Sequence, residues 1–260
     1  MKPYARMLAV FSASLLLAAC SAGRTGVVGG VLTTSQRPAI SIAAKAPFTL
    51  ADCGRVWVSP RTMEVPGSVT ASFDYAVYTD GTVSPATKFA YAAIIRLDEA
   101  ERWNFVPQGN TLPGSFGVRQ GAGPVDRAGA LYTLHVPAAG DWASELLAAN
   151  GTAVPQAWIA KRWLFSLDKG ARAMAEYREP WPADLDVPQT DLMLLSAPNA
   201  EFLKEFETRA LAVFSFDAAA GDFSGPAPAS GWHASPVSPD VKNLAGDVIS
   251  TESSSSGSFN

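Results

Sequence analysis

Residues 157–180 read AWIAKRWLFSLDKGARAMAEYREP, and this stretch decides the fold. Its first half is rich in tryptophan, isoleucine, leucine and phenylalanine, which favours a β-strand. Asp168-Lys169-Gly170 suits a three-residue hairpin loop with glycine in the left-handed position. The chain then returns from Ala171 to Glu179, and Pro180 ends the second strand. The stretch therefore predicts an antiparallel β-hairpin.

The sequence upstream repeats the same pattern. Apolar and polar residues alternate from Ala71 to Tyr78 and again from Lys88 to Leu97, and Asp80-Gly81 between them is a turn signal. These two segments predict a second hairpin with a longer loop. Further short strands are predicted at 55–58, 103–106, 131–136, 192–195 and 211–216.

Two helices are also predicted. Asp141 can cap a short helix that Asn150-Gly151 would end. A longer amphipathic helix follows Pro198-Asn199. Its apolar face would carry Phe202, Leu203, Phe206 and Ala210. Few helices among many hairpin-spaced strands predict an α+β fold, mainly an antiparallel β-sheet with one or two helices packed on it.

Composition suggests how the chain is divided. Residues 20–46 contain many small residues and glycines, which predicts a flexible linker. Residues 47–216 would form a single α+β domain. Residues 217–260 are rich in serine, proline, glycine and alanine, which predicts a disordered tail that the domain does not need for folding.

The amino terminus has the pattern of a secretory signal, residues 1–19. Lys2 and Arg6 precede an apolar run from Met7 to Ala19. As a helix this run would be about 20 Å long, at about 1.5 Å per residue. A bilayer core is about 30 Å thick, so the run is too short for a stable transmembrane helix.

The run ends in Leu17-Ala18-Ala19-Cys20, which resembles the lipobox of bacterial lipoproteins. The resemblance covers residues 1–21. It implies a diacylglycerol on the Cys20 thiol, cleavage between Ala19 and Cys20, and a membrane partner through the lipid anchor. Ser21 follows the cysteine and favours the outer membrane over the inner one. The alternative is an ordinary cleaved signal in which Cys20 occurs by chance.

Charge and cysteine content limit the partners. Loss of residues 1–19 removes Lys2, Arg6 and no acid, so the formal charge changes from −4 to −6. An acidic chain is a poor partner for nucleic acid, which needs a basic surface. Cys53 is the only cysteine besides Cys20, so no disulfide is expected within the mature chain, and we interpret Cys53 as a small buried residue.

The sequence contains no recognisable catalytic motif, and no cofactor or metal is expected. Its two histidines are His135, in a predicted strand, and His233, in the predicted tail. The glycine-rich segment 109–115 lacks the lysine of a phosphate loop. It continues through Gly117, Gly121 and Gly123 and is interpreted as a long surface loop. The acidic clusters are interpreted as solvated turns. They comprise Asp98, Glu99 and Glu101, and Asp184 and Asp186.

Aromatic and arginine side chains along the hairpin at 157–180 form the remaining candidate site. Such side chains are common at binding hot spots. The hypothesis is a binding face in which Trp158 or Trp163 is substantially exposed. The alternative is that the tryptophans fill the core. The candidate residues are Trp158, Arg162, Trp163, Arg172, Tyr177 and Trp181.

These observations favour a non-enzymatic envelope lipoprotein that binds a protein or a cell-wall component. One alternative is a cell-wall hydrolase that uses aspartate and glutamate carboxylates. Another is a lipid carrier, which would require a deep apolar cavity.

Overall fold

The computed structural model describes residues 25–35, 39–58, 71–81, 88–97, 101–103, 112–122, 124–185, 197–218, 232–240, 244 and 248–250. The predicted signal, Cys20 and the predicted strand at 192–195 lie outside these residues. The described strands are β1 (Thr25–Val28), β2 (Val31–Thr34), β3 (Ile40–Ala44), β4 (Thr49–Val58), β5 (Ala71–Thr79), β6 (Phe89–Arg96), β7 (Glu101–Trp103), β8 (Ser115–Ala122), β9 (Ala128–Pro137), β10 (Ala157–Ser166), β11 (Ala171–Pro180), β12 (Phe214–Asp217) and β13 (Val248–Ser250). The helices are α1 (Trp142–Ala149) and α2 (Ala197–Val213).

Seven antiparallel strands form the main sheet, in the order β4-β5-β6-β11-β10-β9-β8. The two predicted hairpins lie at its centre. β10 pairs with β11 from Trp158 opposite Pro180 to Ser166 opposite Arg172, and β5 pairs with β6. The predicted α+β fold, dominated by an antiparallel sheet, is confirmed.

A second sheet, which we call the small sheet, has the order β1-β2-β3-β12. Three of its strands lie inside the predicted flexible linker, so that interpretation is wrong for the described residues of 25–46. Leu32, Ile40 and Ile42 are completely buried in the core. Gly29 and Gly30 have positive φ angles at the turn between β1 and β2, so these glycines support a hairpin instead of a tether.

The predicted tail also contributes to the fold. Leu244 is buried in the core, Trp232 packs against it, and β13 pairs with β7. The predicted disorder is therefore wrong for residues 232–240, 244 and 248–250. A few apolar residues, widely spaced in a polar sequence, are sufficient to hold this segment on the domain.

Two smaller predictions also differ from the structure. The segment predicted as a glycine-rich loop becomes strand β8 from Ser115 onward. The strand predicted at 211–216 begins only at Phe214, because α2 continues to Val213. Trp103, the first residue of the strand predicted at 103–106, ends β7, and residues 104–106 lie outside the described residues.

The two faces of the main sheet are both covered. Trp142, Leu146 and Leu147 of α1 pack on one face, which we call the α1 face. The small sheet and α2, through Phe206 and Ala210, cover the other, which we call the small-sheet face. Among the described residues, no helix combines the length and the apolar character needed to span a membrane.

Candidate functional site

The six candidate residues of the hairpin do not share an exposed face. Trp158, Arg162 and Arg172 lie on the α1 face, where each is buried. Trp158 has no exposed surface, and its Nε1 donates to Ser144 Oγ at 2.8 Å. The Arg172 guanidinium stacks on the ring of Trp103, 4.6 Å from its centroid.

The other three residues are directed elsewhere. Trp163 and Tyr177 face the small sheet and α2, where Trp163 is half-buried and Tyr177 stacks on Phe206. Trp181 follows the hairpin, and its ring lies 5.1 Å from that of His135. The predicted exposure of Trp158 or Trp163 is therefore wrong, because both sheet faces are covered.

Four charged side chains on the α1 face form a continuous set, which we call the charge chain. It runs from Arg162 through Glu176 and Arg178 to Asp141. Glu176 is completely buried and accepts hydrogen bonds from the Nε atoms of both arginines. Arg178 donates two hydrogen bonds to Asp141, at 2.5 Å from Nη1 and 3.0 Å from Nη2. The two cations and two anions balance each other.

Asp141 connects the charge chain to α1. Its carboxylate caps the helix by accepting from the Ser144 backbone N–H at 2.9 Å, and it accepts from Ser144 Oγ at 2.7 Å. Burial raises the pKa of Asp141, but the charge and hydrogen bonds of Arg178, with those of Ser144, outweigh burial and hold the pKa below its ordinary value. Asp141 is therefore an anion at neutral pH.

Arg178, a member of the charge chain, also packs against two aromatic rings. Its guanidinium is 5.4 Å from the ring centroids of both Phe89 and Tyr91. Burial lowers the pKa of Arg178, but Asp141 and Glu176 raise it well above its ordinary value, so the side chain stays cationic. Burial raises the pKa of Tyr91, with Glu176 adding to the effect, so the phenol stays neutral.

A pocket of about 380 Å³ opens where α1 begins. Both ends of the charge chain, Arg162 and Asp141, line it. Its other lining residues are Pro113, Gly114, His135, Val136, Pro137, Ala139, Gly140, Trp142, Asp240 and Leu244. The lining thus includes one arginine, one histidine and two aspartates among small and apolar residues.

One wall of the pocket depends on a glycine. Gly114 has a φ of 75°, and a Cβ at this position would lie 2.2 Å from the carbonyl oxygen of His135. The same pair of residues is joined by a hydrogen bond of 2.8 Å from the His135 N–H to the Gly114 carbonyl. Any larger residue at 114 would push this wall away from β9.

The predicted tail forms another wall. We call residues 232–240 and Leu244 the strap. Arg162 Nη1 donates to the Leu244 carbonyl at 3.2 Å, and Ser235 Oγ donates to the Trp142 carbonyl at 3.2 Å. The Asn150 side chain, at the end of α1, accepts from the His233 N–H at 2.5 Å and donates to the His233 carbonyl at 2.9 Å. The strap is therefore held at both ends of α1.

The remaining candidates for chemistry are dispersed. Burial lowers the pKa of His135, whose ring packs on Trp181, so the imidazole is neutral at pH 7. Burial and the neighbouring Asp52 carboxylate raise the pKa of the half-buried Cys53 thiol, which favours its unreactive form. Asp184 is exposed, whereas Asp98, Glu99 and Asp186 lie outside the described residues. Within the described ranges, no group of three histidine, cysteine or acidic residues could hold a metal ion.

Sequence reasoning found Arg162 and the capping role of Asp141 but did not connect them. It missed Glu176 as a site residue and did not select Arg178. The available signal was the alternation in β11, which places Arg172, Glu176 and Arg178 on one side of the strand. Comparisons with protein families, with curated proteins and with solved structures found no match to this chain.

Proposed function

We propose that this chain is an envelope lipoprotein, anchored by lipid on Cys20, whose folded domain is a non-enzymatic binding module. The lipobox-like sequence at residues 17–20 supports the anchor, and Ser21 favours the outer membrane. The pocket beside α1 supports the binding role. Its ligand would be a small polar component of the envelope, such as a short cell-wall peptide.

The observation that carries the binding role is the charge chain beneath the pocket. Arg162 at one end and Asp141 at the other are held by ion pairs to Glu176 and Arg178. Their side chains are fixed before any ligand arrives, and such preorganisation lowers the entropy cost of binding. A guanidinium and carboxylates in one pocket suit a ligand that has both charges or both hydrogen-bonding types.

The same arrangement gives the hydrolase alternative no support. A glycosidase needs one carboxylic acid that is protonated near its working pH. The pKa of Asp141 is held below its ordinary value, and its carboxylate is already engaged by Arg178 and Ser144. The lipid-carrier alternative also gains no support, because it requires a deep apolar cavity. Three cavities formed by described residues each include at least one acidic residue. These are Asp141 and Asp240 in the pocket beside α1, Glu201 in the second cavity and Glu145 in the third.

The anchor is tested by mass spectrometry of the mature chain purified from membranes. We expect an acylated amino-terminal cysteine at position 20. Cys20→Ala should move the protein from the membrane fraction to the soluble fraction. An unmodified mature terminus, or a membrane fraction unchanged by Cys20→Ala, would overturn the anchor.

The binding role is tested by thermal shift of the full chain with soluble cell-wall peptides. We expect these peptides to raise the midpoint of unfolding. Ala139→Trp, at an exposed position lining the pocket, should abolish the shift. Ala149→Trp, at an exposed position at the far end of α1, is the matched control and should preserve it. Release of soluble fragments from purified peptidoglycan would contradict a non-enzymatic role.

A further inference from the structure

One tryptophan differs from all the others. The chain has seven tryptophans, and each lies within the described residues. Six are buried or half-buried, whereas Trp57 is 66% exposed. It lies near the end of β4, an edge strand of the main sheet. The charge chain and the pocket leave this side chain without a role.

Trp57 lies close to the start of the folded domain. Side chains alternate along a strand, so Arg55 and Trp57 share one side of β4, about 7 Å apart, while Val56 and Val58 face the core on the other side. Arg55 Nη2 donates to the Thr25 carbonyl at 3.4 Å. Thr25 is the first residue of β1 and the point where the described chain begins.

The distance to the proposed lipid is short. Five residue steps separate Cys20 from Thr25. A fully extended chain covers at most about 3.6 Å per residue, so the anchored cysteine lies within about 18 Å of Thr25. The predicted linker of residues 20–46 would have allowed a much larger separation. Because β1 belongs to the folded domain, a lipid on Cys20 would hold the edge that carries Trp57 near the bilayer.

We propose that Trp57 docks in the headgroup region of the membrane that holds the Cys20 lipid, and so fixes the orientation of the domain. This inference rests on the proposed lipid anchor. Tryptophan is enriched at membrane–water interfaces because its ring is amphipathic. Arg55 lies on the same side and pairs with Asp74 at 2.6 Å. Its side chain is still 46% exposed, and this exposed part can approach lipid phosphates. The mature chain is acidic overall, so the indole contributes more than general charge attraction.

The test uses the full acylated chain in vesicles of phosphatidylethanolamine and phosphatidylglycerol that carry bromine on their acyl chains. Bromine quenches tryptophan fluorescence at short range. We expect vesicles to quench part of the emission of the wild-type protein and Trp57→Phe to remove that part. The matched control adds Val118→Trp to Trp57→Phe. Val118 is 36% exposed on the opposite edge strand β8, about 29 Å away at six strand spacings of about 4.8 Å.

The control variant should not regain the quenching. Mass spectrometry and vesicle co-sedimentation of the same samples separate two kinds of failure. An acylated, vesicle-bound protein whose quenching is unchanged by Trp57→Phe would overturn the docking but leave the anchor. Quenching of the double variant equal to that of the wild-type protein would also overturn the docking of Trp57. A dimer that Trp57→Phe dissociates would assign this edge to a second copy of the chain instead. An unmodified Cys20 would overturn the proposed anchor and the docking together.

Discussion

The two faces of the main sheet differ in how deeply their ion pairs are buried. On the α1 face, the charge chain joins four side chains that are buried or nearly so. On the small-sheet face, each ion pair between described residues has a partner that is substantially exposed to solvent. Glu207 beside Lys161, Arg209 beside Glu179 and Arg55 beside Asp74 have side-chain exposures of 41%, 36% and 46%. The α1 face should therefore be far more sensitive to the loss of one charge.

The largest expected effect is on Arg178. Arg178→Met leaves Asp141 and Glu176 short of a buried cation, and loss of one partner from a buried ion pair costs about 3–5 kcal/mol. Arg209→Met, on the other face, should cost about 1 kcal/mol or less because that side chain is partly exposed. Urea unfolding of both variants measures the two losses. Equal losses of unfolding free energy would contradict the proposed difference between the two faces.

Asp141 should show the same sensitivity as a function of pH. Asp141→Asn should cost about 2–3 kcal/mol at pH 7, the scale of hydrogen bonds to a charged group. The folded pKa of Asp141 lies below its ordinary value of 3.8, so its contribution is complete above that pH and is lost as pH falls through the lower folded value. The gap between wild type and variant should therefore narrow in acid. Urea titrations at pH 7, 5 and 3 check this, and a gap independent of pH would contradict it.

Leu244 tests how firmly the strap closes the α1 face. Leu244→Ala should cost about 2 kcal/mol, since the side chain is only 6% exposed. Val237→Ala, at a half-buried position of the strap, is the control and should cost less. A chain that ends at Phe216 should lose at least as much stability as Leu244→Ala. Thermal unfolding would detect each change, and an unaltered midpoint in the shortened chain would show that the strap is dispensable.

The smallest effect is a gain, on the small-sheet face. Burial raises the pKa of Asp74 despite its hydrogen bond to Arg55, and its Oδ2 lacks a hydrogen-bond partner. Because the pKa of Asp74 is higher in the folded state, this residue does not lower the free energy of unfolding below pH 3.8. The free energy of unfolding then falls as pH rises through the pKa of the folded state. Asp74→Asn should therefore add about 1 kcal/mol at pH 7. This gain in unfolding free energy should disappear in acid, where Asp74 is protonated in both states. Urea unfolding at pH 7 and in acid measures it. A loss of stability at pH 7 would show that the ion pair with Arg55 outweighs the cost of burial.

The sequence predicted the parts of the fold that depend on neighbouring residues. The β10–β11 hairpin follows from a period of two around Asp168-Lys169-Gly170, and α1 follows from its Asp141 cap. The small sheet could not be predicted in this way, because β3 obtains its partner β12 from the far end of the domain. Its glycines suggested flexibility more strongly than Ile40 and Ile42 suggested a strand.

The candidate site was harder to predict for the same reason. From the sequence alone, Glu176 and Arg178 on one side of β11 are compatible with a solvent-exposed sheet face or with a buried ion pair. The choice depends on Asp141, which lies 37 residues from Arg178, and on the Leu244 carbonyl, 82 residues from Arg162. No local pattern in the sequence indicates that these segments meet.

The pairing of β3 with β12 has a consequence for the order in which the protein can fold. Ser215 Oγ donates to the Ala43 carbonyl across 172 residues of chain, and Arg162 meets Leu244 only after the strap has been made. Contacts between such distant segments slow folding, because the loop must close before the contact stabilises it. Until α2 and β12 have joined the domain, the first three strands lack part of the cover that buries Leu32 and Ile42. We therefore expect the small sheet, and the side of the pocket that Leu244 lines, to form late in folding.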